Sequence, residues 1–104
     1  MKISKRSIND YLVFDLNENI SYETSEELYG FIFNSLETET KKVVLNIERV
    51  TYVNSFALGT MIKILQDLEK KDISFFLMKV PAEVKTLLKV TGILNKFRFF
   101  EDEH

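Results

Sequence analysis

Few residues in this chain could carry chemistry. It has no cysteine, and its one histidine, His104, is the last residue. Thiol nucleophiles are therefore excluded, and no internal imidazole can serve as a general base. No H-x-x-H or C-x-x-C spacing offers a metal site. Gly30, Gly59 and Gly92 stand far apart, so there is no glycine-rich phosphate loop. The carboxylates fall mainly on helix faces and loops, where solvation is their ordinary role. Catalysis finds no support, and neither a cofactor nor a metal is expected. His104 reads as a trimmed tag residue or a frayed end.

What remains is one hydroxyl. Asn54-Ser55 lies between an apolar strand, Val43-Val44-Leu45-Asn46-Ile47, and a long amphipathic stretch running to about Lys70. Ser55 thus falls at a helix N-terminus, where backbone N–H groups lack partners within the helix. Such a position suits a capping side chain, and it also suits a phosphate. A polar pair before a helix most often serves only as its cap. Phe56 adds weight to a second role. Its helical neighbours are Thr60, Lys63 and Asp67, all polar, so its ring leans toward solvent at the start of the helix. A large aromatic beside an exposed hydroxyl can anchor a partner. The alternative is that the preceding loop or the first helix folds over the ring. The candidate docking surface is Asn54, Ser55, Phe56, Thr60 and Lys63, with Ser55 as a phosphoacceptor.

A fold must hold that corner. One domain over residues 1–104 is the default for a chain of this length, and 45% hydrophobic residues can build a core without disulfides. The formal net charge is only −2, which argues against a nucleic-acid partner, since that needs a concentrated basic face. The absence of cysteine fits a reducing compartment. No apolar run approaches the roughly 20 residues that span a bilayer. Met1-Lys2-Ile3-Ser4-Lys5-Arg6 has no apolar segment after it, unlike a signal peptide. The cytoplasm is the expected location.

The elements follow in order. Ile3 to Ile8 is a polar edge strand, Asn9-Asp10 a turn, and Tyr11 to Leu16 a β-rich run, so the two segments form a hairpin. Thr24-Ser25-Glu26-Glu27 matches a capping box with Thr24 as cap and Glu27 reaching back. It opens a helix with Leu28, Phe31, Ile32 and Leu36 at helical spacing. Gly30, inside that helix, is expected to mark close packing against a neighbour. Val43 to Ile47 reads as a strand covered on both faces. On the Ser55 helix, Leu58, Met61, Ile62, Leu65 and Leu68 form the buried stripe, with Ala57 and Ile64 at its margins. Ile73 to Met78 is the next strand. Pro81 opens a last helix at its first position, buried through Val84, Leu87 and Leu88 and stopped by Gly92. Phe97 to Phe100 covers the core or adds an edge strand, and Glu101-Asp102-Glu103 is a solvated tail. This order predicts an α/β fold: a mixed sheet of four to five strands, with an N-terminal hairpin and parallel strands joined by crossover helices.

Val53-Asn54-Ser55-Phe56-Ala57-Leu58-Gly59 resembles the signature of STAS domains, the anti-sigma factor antagonist family, whose pattern is an apolar residue, Asp, Ser, Ser or Thr, Gly or Ala, Leu, Gly. Leu87-Leu88-Lys89-Val90-Thr91-Gly92-Ile93-Leu94-Asn95-Lys96-Phe97 is similar to the family's late helix. Asn54 stands where the pattern has Asp, and Phe56 where it has a small hydroxylated residue. The loop Glu18-Asn19-Ile20-Ser21 lacks the family's usual Gly and Asp. The resemblance implies a regulatory protein without catalysis, bound by an anti-sigma factor or serine kinase that phosphorylates Ser55, with a phosphatase to restore it. It also allows a constitutive scaffold or oligomer component with no phosphate cycle.

Overall fold

The computed structural model describes residues 2 to 101. The expectations for His104 and for Asp102-Glu103 lie outside the described residues. The chain forms β1 (Ile3–Ile8), β2 (Tyr11–Leu16), α1 (Tyr22–Asn34), β3 (Lys42–Asn46), α2 (Ser55–Glu69), β4 (Ser74–Met78), α3 (Ala82–Val90), a 3-10 turn (Leu94–Lys96) and β5 (Arg98–Phe100).

The five strands lie side by side in chain order. β1 and β2 form the expected antiparallel hairpin, with Ile3 opposite Leu16 and Ile8 opposite Tyr11. Asn9 turns it with φ 55, a conformation asparagine tolerates better than most residues. The other three pairings are parallel. Each parallel step crosses over through a helix and moves one strand further in the same direction. Right-handed crossovers that all step the same way place their helices on one face of the sheet. Core packing agrees. Phe14, Leu45, Phe75 and Leu77 face Leu28 and Ile32 of α1, Met61 and Leu68 of α2, and Val84 and Leu88 of α3 in one buried cluster.

Alternation sends Val13, Val44 and Met78 to the opposite face. They are fully buried there, but beneath Tyr11, Phe76, Phe100 and Ile8, all from strands. Tyr11 meets Phe76 and Phe100 edge-on, with ring centroids 5.4 and 4.8 Å apart. β3 is thus covered on both faces as expected, by helices on one side and by its neighbours' side chains on the other.

Several local expectations need correction. The cap of α1 is Ser21, not Thr24: Thr24 N–H donates to Ser21 Oγ and Ser21 N–H to Thr24 Oγ1, so Thr24 takes the part assigned to Glu27. Ile20 is buried, which brings the chain onto the core just before Ser21 and starts the helix early. Pro81 is the cap residue of α3 and not its first turn. On α2, Ala57 and Ile64 are fully buried and Ile62 sits at the margin, because the stripe must serve both the sheet and α1. Gly30 does not mark close packing: a Cβ built on it meets nothing within 4 Å. Gly92 does stop α3, with φ 77, while Ile93 N–H reaches back to Leu88 C=O at 3.0 Å. Phe97 is buried and Arg98–Phe100 forms the edge strand, so that segment does both things expected of it.

Candidate functional site

In a parallel sheet the loops leaving the C-terminal strand ends gather at one edge, the usual place for a site. Here the loops after β2 and β3 are tied together. Asn19 Oδ1 accepts from Thr51 N–H at 2.8 Å and Tyr52 N–H at 3.3 Å, and its amide donates to Thr51 Oγ1 at 3.2 Å. Lys79, after β4, lies 3.8 Å from Glu48. Asn19 therefore fixes the segment that delivers the chain into α2.

α2 begins as its residues require. Asn54 is extended, with φ −103, and its Oδ1 accepts from Ala57 N–H at 2.8 Å. Leu58 N–H closes the first turn on Asn54 C=O at 3.0 Å. Among the described residues, no acceptor meets the N–H groups of Ser55 or Phe56, and no partner holds the Ser55 hydroxyl. Ser55 is exposed. The site is thus a free hydroxyl beside two free backbone donors at the positive end of a long helix.

Apolar surface surrounds it. Three of the large hydrophobic side chains left exposed belong to this corner: Tyr22 at 76%, Tyr52 at 64% and Phe56 at 40%. The Tyr22 and Phe56 rings lie 5.2 Å apart. The first helix does reach Phe56, but covers it only in part. Beside Phe56, a groove of about 600 Å³ runs between α1 and α2. Ser55, Phe56, Thr60 and Lys63 line one side, and Tyr29, Gly30 and Glu26 the other.

Four of the five docking residues read from the sequence thus share one groove, while Asn54 serves it as the cap. Two are less free than their helical positions imply. Thr60 Oγ1 donates to Phe56 C=O at 3.2 Å. Lys63 lies 3.3 Å from Asp67 and 5.4 Å from the Tyr29 ring centroid. Tyr29 also donates its hydroxyl to Asp67. That bond lowers the Asp67 pKa, with Lys63 and Lys70 helping, and raises that of Tyr29. The polar face of α2 is therefore partly a seam with α1. Asn19, Tyr22, Tyr52, Tyr29, Gly30 and Gly59 were missed from sequence. Only the two glycines left a signal, since each is unfavourable inside a helix.

No group of His, Asp, Glu or Cys among the described residues could hold a metal ion. No helix there is long and apolar enough to cross a membrane.

A family model for the STAS domain matches residues 2–104. The fold is similar to that of a candidate anti-sigma factor antagonist from Thermotoga maritima: TM-score 0.83, 17% identity, covering 97% of this chain and 87% of that one. It is similar to the anti-sigma factor antagonist SpoIIAA in its unphosphorylated form, with TM-score 0.75 and 14% identity over 97% of this chain and 90% of that one. SpoIIAA of Bacillus in its phosphorylated form matches too, with TM-score 0.70 and 14% identity over 97% and 92% of the two chains. A sulfate transporter family protein from Wolinella succinogenes shares the fold at TM-score 0.74 and 16% identity, over 84% of this chain and 70% of its own. At such identities these likenesses establish a common fold.

Proposed function

The chain belongs to the STAS domain family, and we propose that it is a non-catalytic cytoplasmic regulator, an anti-sigma factor antagonist whose grip on its partner is set by phosphorylation of Ser55. The observation that carries this reading is the exposed, unbonded Ser55 hydroxyl at the first residue of α2, framed by exposed aromatic rings. The partner is an anti-sigma factor or serine kinase. In the modifying step Ser55 Oγ attacks the γ-phosphorus of ATP, its proton passes to the kinase, and ADP leaves.

The switch needs no rearrangement. Phosphate adds about −1.5 to −2 charge at Ser55. The free N–H groups of Ser55 and Phe56 and the helix dipole accommodate it in the isolated domain. A partner packed over Phe56 and Ser55 would instead have to bury a poorly paired charge. That costs several kcal/mol, and every 1.4 kcal/mol is about tenfold in affinity.

A second reading is a constitutive scaffold or oligomer component. It is favoured by Asn54, which brings no carboxylate to the hydroxyl and whose oxygen is committed to Ala57 N–H. Incubation with serine kinases of the source cell and ATP, followed by intact mass measurement, separates the two. The switch reading expects one phosphoryl group on the wild type and none on Ser55→Ala. A wild type that takes none leaves the scaffold.

A further inference from the structure

Resting on the docking-surface reading, we propose that the α1/α2 groove seats an amphipathic helix of the partner, its apolar ridge in the groove and its lysine or arginine side chains along the α1 edge.

The groove is kept open at a cost to the helices that form it. Gly30 and Gly59 face it from α1 and α2, and a Cβ at either would meet nothing within 4 Å. Neither glycine lets the two helices approach, and both weaken the helix they stand in. Their effect is to leave the groove floor at backbone level, between the rings of Tyr29 and Phe56. A floor of that shape admits the side chains of another helix, as when an apolar helical face is laid into a groove.

Charge narrows the occupant. α1 carries Glu23, Glu26 and Glu27 and no basic residue. None of the three has an ion-pair partner among the described residues, and Glu26 lines the groove itself. Across the groove, Lys63 is already engaged by Asp67. Cations must therefore come with the visitor, and anionic lipid is disfavoured. Ser55 lines the α2 side of the groove and Glu26 its α1 side. A phosphate on Ser55 would therefore stand on α2, across the groove from the α1 glutamates that take the visitor's basic flank.

The test is an NMR titration of the full chain with two designed helical peptides. Both carry leucines at i, i+3, i+4 and i+7; one has lysines on its flanks, the other glutamates. The lysine peptide is expected to shift the Gly30 and Gly59 amide resonances and to bind roughly tenfold or more tighter than the glutamate peptide. Glu23→Lys with Glu26→Lys should reverse that preference. Gly59→Leu should abolish binding by filling the groove. Should that variant fail to fold, Gly59→Ala should still weaken binding while raising the melting temperature, a combination that a merely structural glycine does not give. No binding by the lysine peptide, equal binding by both, or affinity unchanged in the glycine variants would overturn the proposal. The titration uses the unmodified chain without a kinase. Its failure leaves the Ser55 switch standing, and a Ser55 that accepts no phosphate leaves the groove untouched.

Discussion

At the scale of single residues, the corner depends on three neighbours with separate tasks. Asn54 holds the helix end, Ser55 offers a hydroxyl, and Phe56 offers surface. Asn54→Ala removes the acceptor for Ala57 N–H and should cost about 1 kcal/mol of stability by denaturant titration. Asn54→Asp keeps the cap and should cost nothing measurable. Phe56 is 40% exposed and shares its buried side with Tyr22. Its truncation to Ala should cost about 1 kcal/mol or less, well below the roughly 3–5 kcal/mol of a core phenylalanine, while partner capture falls by about tenfold. A loss of core size would make Phe56 a packing residue. These roles were legible because they are local: a cap and a solvent-leaning ring follow from spacing along one helix. Asn19 was not legible, because its value lies in reaching Thr51 and Tyr52, more than thirty residues on.

At the scale of elements, what matters is the pair α1 and α2. Helical periodicity located both helices but gave each one polar side as if it faced water. In fact Tyr29 crosses to Asp67, and Lys63 covers the Tyr29 ring. Which polar residues form a seam depends on the angle and distance between two helices, which neither helix encodes alone. The same limit explains Gly30, expected to allow close packing and found lining open space. Gly30→Ala and Gly59→Ala should each raise stability by about 1 kcal/mol, since the added methyl meets nothing and the helix gains propensity. Thermal unfolding checks this directly. A destabilised variant would mean that the groove closes in solution. The misplaced cap of α1 has a similar origin. Only Thr24-x-x-Glu27 fits the usual pattern of Ser or Thr followed three residues on by Glu or Gln; in the fold the Thr24 hydroxyl reaches back as a Glu would, and the buried Ile20 places the cap at Ser21.

At the scale of the whole molecule, strand order and crossover hand put all helices on one face and leave the other to the strands. The alternating and near-continuous apolar runs made the sheet readable, whereas the family was legible in the resemblance of Val53 to Gly59 and of Leu87 to Phe97. The helix-free face also carries a polar network centred on Asp15. Arg6 Nε donates to Asp15 Oδ2 at 2.6 Å and Asn46 donates to Asp15 Oδ1 at 2.8 Å. The Arg6 bond, with Asn46 and the Arg6 and Lys79 charges behind it, outweighs partial burial and holds the Asp15 pKa below its ordinary value. A depressed carboxyl stabilises the fold above its unfolded pKa, near 3.8, and that stability is lost as pH falls through the lower folded value. Asp15→Asn should therefore be less stable at neutral pH and show a shallower loss below about pH 4. Parallel pH dependence in both proteins would show that the Arg6 contact does not shift Asp15.

On the switch reading, one phosphate at the start of α2 releases a partner without disturbing the domain beneath it. That reading is tested most directly by measuring the affinity of the captured partner for the unmodified chain and for the chain carrying one phosphate on Ser55, with the melting temperature of each. The expected result is an affinity loss of about tenfold or more, with melting temperature unchanged. Equal affinities, or a loss that appears only because the phosphorylated domain unfolds, would contradict it.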